Sequence, residues 1–309
     1  MLTTPHFVNA AHRAGLTVPA FNVPYLPMVE PVVQAVVDEN ALALIETARL
    51  EWYKFEAQGP AAVAKEFNRW AKPDYVRLHL DHVPVIDEDG LAVDYLPVIQ
   101  EALDLGYQSV MIDGSRLSLA DNMAATRQAV ALAHAAGVPC EAELGAVLGH
   151  EAGPLPPYEE LYASGKGFTA VDEARTFVQE TGCDWLSVAV GNIHGAISGA
   201  QRDQKKVEAR LNLAHLEKLG QATGVPLVLH GGSGVRRDSL LPAISQGIAK
   251  VNVGAEIRQA YEQAWRAKGS VSAAQTAVYQ RTRWLLHYHF GLSGSRPRIL
   301  GFLNLAGEP

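Results

Sequence analysis

Val76-Arg-Leu-His-Leu-Asp-His82 and Ser109-Val-Met-Ile-Asp-Gly-Ser115 share one design: a short hydrophobic run that closes on ionisable residues. Upstream lie Pro19-Ala-Phe-Asn-Val23 and Leu42-Ala-Leu-Ile-Glu-Thr-Ala48. Downstream come Pro139-Cys-Glu-Ala-Glu-Leu-Gly145, Trp185-Leu-Ser-Val-Ala-Val-Gly-Asn192, Pro226-Leu-Val-Leu-His-Gly-Gly-Ser233 and Ala249-Lys-Val-Asn-Val-Gly-Ala-Glu256. Several open on a proline or turn and end on a polar residue followed by glycine, as strands running into turns do. Between them, apolar residues recur at three- and four-residue spacing over 28–39, 60–70, 95–105, 120–136, 172–181, 212–223, 239–246 and 257–267. That is the helical period. Strand and helix alternate without a break in composition, which predicts an α/β chain folded as a parallel (β/α)8 TIM barrel. An open doubly wound sheet is the alternative. Residues 273–288 predict an extra C-terminal helix, so 1–309 reads as one barrel domain with 270–309 as a helical extension.

The bulk properties agree. The chain has 309 residues, 48 % hydrophobic and 19 % charged, enough for a sizeable core and for a barrel of about 250 residues with insertions. A net charge of −7 argues against general affinity for nucleic acid or an anionic membrane, although a local site can still bind phosphate through backbone amides. Cys140 and Cys183 lack metal-ligand spacing and read as buried thiols. The N-terminus carries no basic segment followed by an apolar run, and no stretch of about 18 apolar residues occurs. A cytoplasmic enzyme is expected.

Chemistry gathers where the strands should end. Asp81 and His82 end the third, Asp113 the fourth, Glu141 and Glu143 the fifth; His194 follows the sixth and His230 ends the seventh. In a barrel these positions converge on one mouth. Three histidines meeting there suit a catalytic Zn²⁺ with an open coordination position. His230-Gly-Gly-Ser-Gly234 and the neighbouring turn Asn252-Val-Gly-Ala255 offer backbone amides for a phosphate, in the loops where barrels commonly bind one. The loops 149–167 and 195–210 are long, follow strands and so fall on the same face.

The chain resembles the class II fructose-bisphosphate and tagatose-bisphosphate aldolase family. The residues that carry the resemblance are Ala20-Phe-Asn-Val23, His79-Leu-Asp-His82, Ser109-Val-Met-Ile-Asp-Gly-Ser115, Glu141-Ala-Glu-Leu-Gly145, Val190-Gly-Asn-Ile-His-Gly195, Leu229-His-Gly-Gly-Ser233 and Lys250-Val-Asn252, in family order from about residue 8 to about residue 268. It implies a lyase acting on a phosphorylated ketose, with His82, His194 and His230 as zinc ligands and Glu143 as an alternative ligand. Asp81 would move the proton of the substrate hydroxyl, and Glu151 the proton on carbon. Asn22, Gly195, Gly231, Ser233 and Asn252 would hold the substrate, the last four at the phosphate of the ketone-derived half. Asp113 would support a monovalent cation, Na⁺ or K⁺, or order the site; Glu141 reads as a structural carboxylate. Similar proteins form homo-oligomers, so a dimer or tetramer is expected.

Three departures bear on the substrate. Ala255 stands where the family has Thr. The second strand runs into Thr47-Ala48-Arg49-Leu50-Glu51-Trp52 instead of a Ser or Thr among glycines. Gly149-His150-Glu151-Ala152 has His and Ala where acidic residues are common. Arg49 either replaces a lost anion contact or forms a surface ion pair. The bond chemistry is therefore expected to survive with a substrate other than simply fructose 1,6-bisphosphate. Two further classes stay open: a non-catalytic aldolase-like subunit, and a metal-dependent barrel hydrolase, for which no lysine on a strand is evident.

Overall fold

The computed structural model describes residues 3–87, 89–145, 147, 157–193 and 208–303. Eight parallel strands close into a barrel in sequence order. They are β1 (Val18–Asn22), β2 (Ala43–Ala48), β3 (Val76–Pro84), β4 (Ser109–Asp113), β5 (Cys140–Leu144), β6 (Trp185–Val188), β7 (Leu227–Leu229) and β8 (Ile248–Val253). The open-sheet alternative is excluded by the pairing of β1 with β8, Val18 opposite Lys250 and Ala20 opposite Asn252.

Alternation along each strand sorts the side chains. Leu78, Leu80, Val110, Ile112, Ala142, Leu186 and Val251 join the outer core under the helices. The intervening residues are buried too, but many are polar: Glu46, His79, Asp81, Ser109, Glu141, Glu143, Ser187, Lys250 and Asn252. The barrel thus has a hydrophobic jacket and a polar lumen.

A helix over Thr4–Arg13, absent from the sequence expectation, packs Phe7, Ala10 and Ala11 against Val18, Ala20, Leu42 and Leu44. The C-terminal extension is helical as expected but segmented. It runs Val271–Trp284, then a π-helical turn Leu285–His289, then Arg296–Gly301. Among the described residues no helix is long and apolar enough to cross a membrane.

One irregularity in β3 shapes the site. Its register against β4 shifts between Leu80 and Val83, and His82 there takes a left-handed φ of 37°. In a regular strand Asp81 and His82 would face opposite ways. The bulge re-aims the second of them, so both enter the mouth.

Candidate metal centre and active site

His82 and His230 meet edge to face, ring centroids 4.4 Å apart. His230 Nδ1 lies 2.7 Å from His82 Nε2. Each ring turns its other nitrogen to a carboxylate: His82 Nδ1 is 3.2 Å from Asp113 Oδ2, and His230 Nε2 is 2.9 Å from Glu141 Oε1. A carboxylate fixes the proton on the nitrogen that faces it. Two lone pairs are then left pointing at one another, which is repulsive unless a proton or a metal ion lies between them. Burial opposes the charged form of His82, yet Asp81, Asp113 and Glu143 push its pKa well up. Burial and the neighbouring His82 pull His230 down. Glu143 completes the pattern: its Oε2 is buried without a hydrogen-bond partner and lies 3.5 Å from His230 Nδ1. An orphaned carboxylate oxygen beside two imidazole lone pairs fits a divalent cation. Asp81 and Asp113 stand close enough to join such a group.

Asp113 is itself held by Ser115, whose backbone N–H donates to Oδ1 at 3.0 Å and whose hydroxyl donates at 2.6 Å. Burial opposes its ionisation, but His82 and Ser115 bring its pKa down to about 2. It is therefore a charged orienter of His82.

Asp81 anchors a second network. Asn22 Nδ2 donates to its Oδ2 and Asn252 Nδ2 to its Oδ1, each at 2.9 Å. Burial works against the carboxylate, and His82 and Lys250 outweigh it, holding Asp81 well below the usual range. Lys250 Nζ donates to Asn252 Oδ1 at 2.7 Å and sits 2.9 Å from Glu141 Oε2 and 3.4 Å from Glu46 Oε2. Glu141 is thus clamped between an ammonium and the His230 N–H. Burial opposes it, Lys250 and His230 prevail, and its pKa falls to about 2. Burial and Lys250 depress His79 to about 3, so its imidazole is neutral.

The turn after β7 is built for close approach. Gly231 adopts φ 66°. A Cβ on Gly232 would meet Val251 Cγ1 at 2.0 Å, so only glycine lets this turn lie against β8.

A family model described as fructose-bisphosphate aldolase class-II matches residues 2–289. The chain belongs to that family. A fructose-bisphosphate aldolase of Streptococcus pyogenes is 35 % identical over 286 residues, 90 % of this chain and 87 % of the relative. One from Streptococcus pneumoniae is 33 % identical over 290 residues, 92 % of this chain and 88 % of the relative. Among solved structures, the YdjI aldolase of Escherichia coli K12 superposes with a TM-score of 0.72 at 25 % identity, covering 96 % of this chain and 99 % of that one. A putative fructose-1,6-biphosphate aldolase from Coccidioides immitis gives 0.73 at 25 % identity, covering 94 % and 96 %. Class II aldolases are metal-dependent lyases, and this member has groups of residues that could hold the metal.

Of the site residues read from the sequence, this aldolase brings together Asn22, Asp81, His82, Asp113, Glu143, His230 and Asn252. Gly231 lies in the turn directly after His230. Glu151, His194 and Gly195 lie outside the described residues, and of Ser233 only the backbone is described. Asn22 and Asn252, expected on the substrate, direct their amides to Asp81. Of the two readings of Arg49, the ion pair holds: its guanidinium bonds Asp87 and lies 4.6 Å over the Tyr53 ring. Lys250 was missed. It is a strand lysine, and its presence between the apolar residues Ala249 and Val251 was the available signal. Glu46 and Glu51 were missed as site carboxyls too.

Proposed function

We propose that the protein is a zinc-dependent aldolase that reversibly cleaves a phosphorylated ketose to dihydroxyacetone phosphate and an aldehyde. The observation that carries this reading is the meeting of His230 Nδ1 and His82 Nε2 at 2.7 Å, beside Asp81 and the unpartnered Glu143 Oε2. His82, His194 and His230 would hold Zn²⁺, with Glu143 as an alternative ligand; Asp113 orients His82 or supports Na⁺ or K⁺. When bound, Zn²⁺ supplies Lewis-acid stabilisation of the negative charge that cleavage leaves on the ketone-derived fragment.

The chain's own groups do the rest. Backbone amides of Gly195, Gly231, Ser233 and Asn252 would receive the phosphate. Asp81, kept ionised, takes the proton from the hydroxyl on the carbon beyond the breaking bond. That oxygen's electrons form the aldehyde carbonyl, and the carbon–carbon pair passes to the ketone-derived fragment as an enediolate. Glu151 then returns a proton to carbon, completing dihydroxyacetone phosphate. Asn22 and Asn252 aim the Asp81 carboxylate. Each proton transfer is typically worth about 10²–10⁴-fold in rate.

The hydrolase reading loses ground on Lys250. Burial opposes its charge, but Glu141 and Glu46 hold its pKa above the usual range, so it offers no free amine for a metal bridge or a Schiff base. Retention of Asp81 beside His82 and His230 argues against a non-catalytic subunit. A homo-oligomer, dimer or tetramer, in the cytoplasm completes the proposal, with a small phosphorylated sugar as its substrate. The test is metal content together with retro-aldol turnover before and after chelation. Activity should vanish with EDTA and return with Zn²⁺; turnover that ignores chelation would overturn the reading.

A further inference from the structure

The proposed reaction, on which this inference rests, sets a direction along the mouth. The ketone-derived phosphate lies at the turns after β7 and β8, and the hydroxyl served by Asp81 belongs to the aldehyde half. That half therefore extends past Asp81 towards the ends of β1 and β2. There, Ala48 is the Cα partner of Asp81 across the β2–β3 ladder, so the wall is a methyl group. Beside it, in the short helix Arg49–Lys54, Glu51 is buried. The Ala48 N–H donates to its Oε2 at 2.9 Å, and the neighbouring Thr47 and Asn22 side chains also favour its ionised form. Asn22, which donates to Asp81, therefore also acts on Glu51. Of the two cations of that helix, Arg49 is engaged by Asp87 and Tyr53, and Lys54 is exposed at its last position.

We infer that the aldehyde half is an uncharged polyol selected by Glu51, which makes the substrate a ketose 1-phosphate and not a bisphosphate. Among the described residues, a second phosphate there would lie against a methyl and two carboxyls. Sugar hydroxyls can instead exchange hydrogen bonds with Glu51 and pack on Ala48. The state of Glu51 reports the same local field. Burial, opposed by the Ala48 amide and reinforced by Asp81, lifts its pKa to about 8. A pocket that keeps a carboxyl protonated near neutrality disfavours a phosphate dianion more strongly still.

The test uses the full-length, zinc-loaded enzyme. Cleavage of fructose 1-phosphate is compared with that of fructose 1,6-bisphosphate, and condensation of dihydroxyacetone phosphate with glyceraldehyde is compared with condensation with glyceraldehyde 3-phosphate. We expect kcat/KM to favour the singly phosphorylated ketose and the uncharged aldehyde by about tenfold or more. Glu51→Lys, which puts a cation where the second phosphate would lie, should bring the two ratios towards one. The wild-type comparison decides even if that variant does not fold. Proton exchange of dihydroxyacetone phosphate in D2O separates the two levels. Exchange with a preference for bisphosphate overturns this inference and leaves the aldolase reading standing, whereas absence of exchange sinks both.

Discussion

Two single residues concentrate the electrostatics of the lumen. Lys250 is an ammonium sealed beside Glu46 and Glu141. Removing one partner of a buried ion pair costs about 3–5 kcal/mol, because the other charge stays buried without compensation. Lys250→Met should lower the urea midpoint of the metal-free protein accordingly; an unchanged midpoint would show that the network stabilises nothing. Asp81 is placed by two asparagine amides and needs its charge only in the reaction. Asp81→Asn is therefore expected to bind zinc normally while losing about 10²–10⁴-fold in kcat. A variant with near-normal kcat would remove Asp81 from the mechanism. Asp81, His82 and His230 were legible because an ionisable group that ends a hydrophobic run sits at a strand end. Lys250 and Glu46 were not, because a charge inside a strand says nothing of which charge it faces across the barrel.

Elements aim these residues. The bulge in β3 turns His82 into the mouth next to Asp81, and no rule of alternation would have placed two successive residues on one side. The turn after β7 depends on a missing side chain. In Gly232→Ala the new methyl would overlap Val251 Cγ1, at 2.0 Å in the present geometry, so the turn must move off β8 and carry its amides with it. We expect KM for the phosphorylated ketose to rise by about tenfold, with a smaller change in kcat. A KM within twofold of wild type would show that the turn does not hold phosphate. Helices of the jacket were readable from their period, while Thr4–Arg13 and Arg49–Lys54 were not anticipated. The first is stabilised by the barrel end that it covers, and the second packs over the mouth.

At the scale of the molecule, the C-terminal extension is fastened to the barrel through Glu39. Arg283 Nε donates to its Oε1 at 2.6 Å, the Ser293 hydroxyl bonds its other oxygen, and Gly294 N–H donates to its carbonyl at 2.8 Å. Burial opposes the Glu39 carboxylate, but Ser293 and Arg283 bring its pKa below the ordinary value. A depressed folded pKa adds stability above the unfolded value of about 4.3, and that stability is lost as pH falls through the folded pKa. Glu39→Gln should therefore unfold at lower urea than wild type at pH 7, and the gap should close in acid. A gap independent of pH would assign the effect to packing alone. Hydrophobic period and strand-end chemistry are local properties, so the amino-acid order by itself determined the barrel, its jacket helices and the mouth where Asp81, His82, Glu143 and His230 gather. Which nitrogen faces which carboxylate, the ammonium between Glu46 and Glu141, and the Glu51 carboxyl beside Asp81 were decided only by tertiary structure. Those relations join side chains from strands far apart in the chain, and their energies depend on distance and burial, which exist only once the barrel has closed.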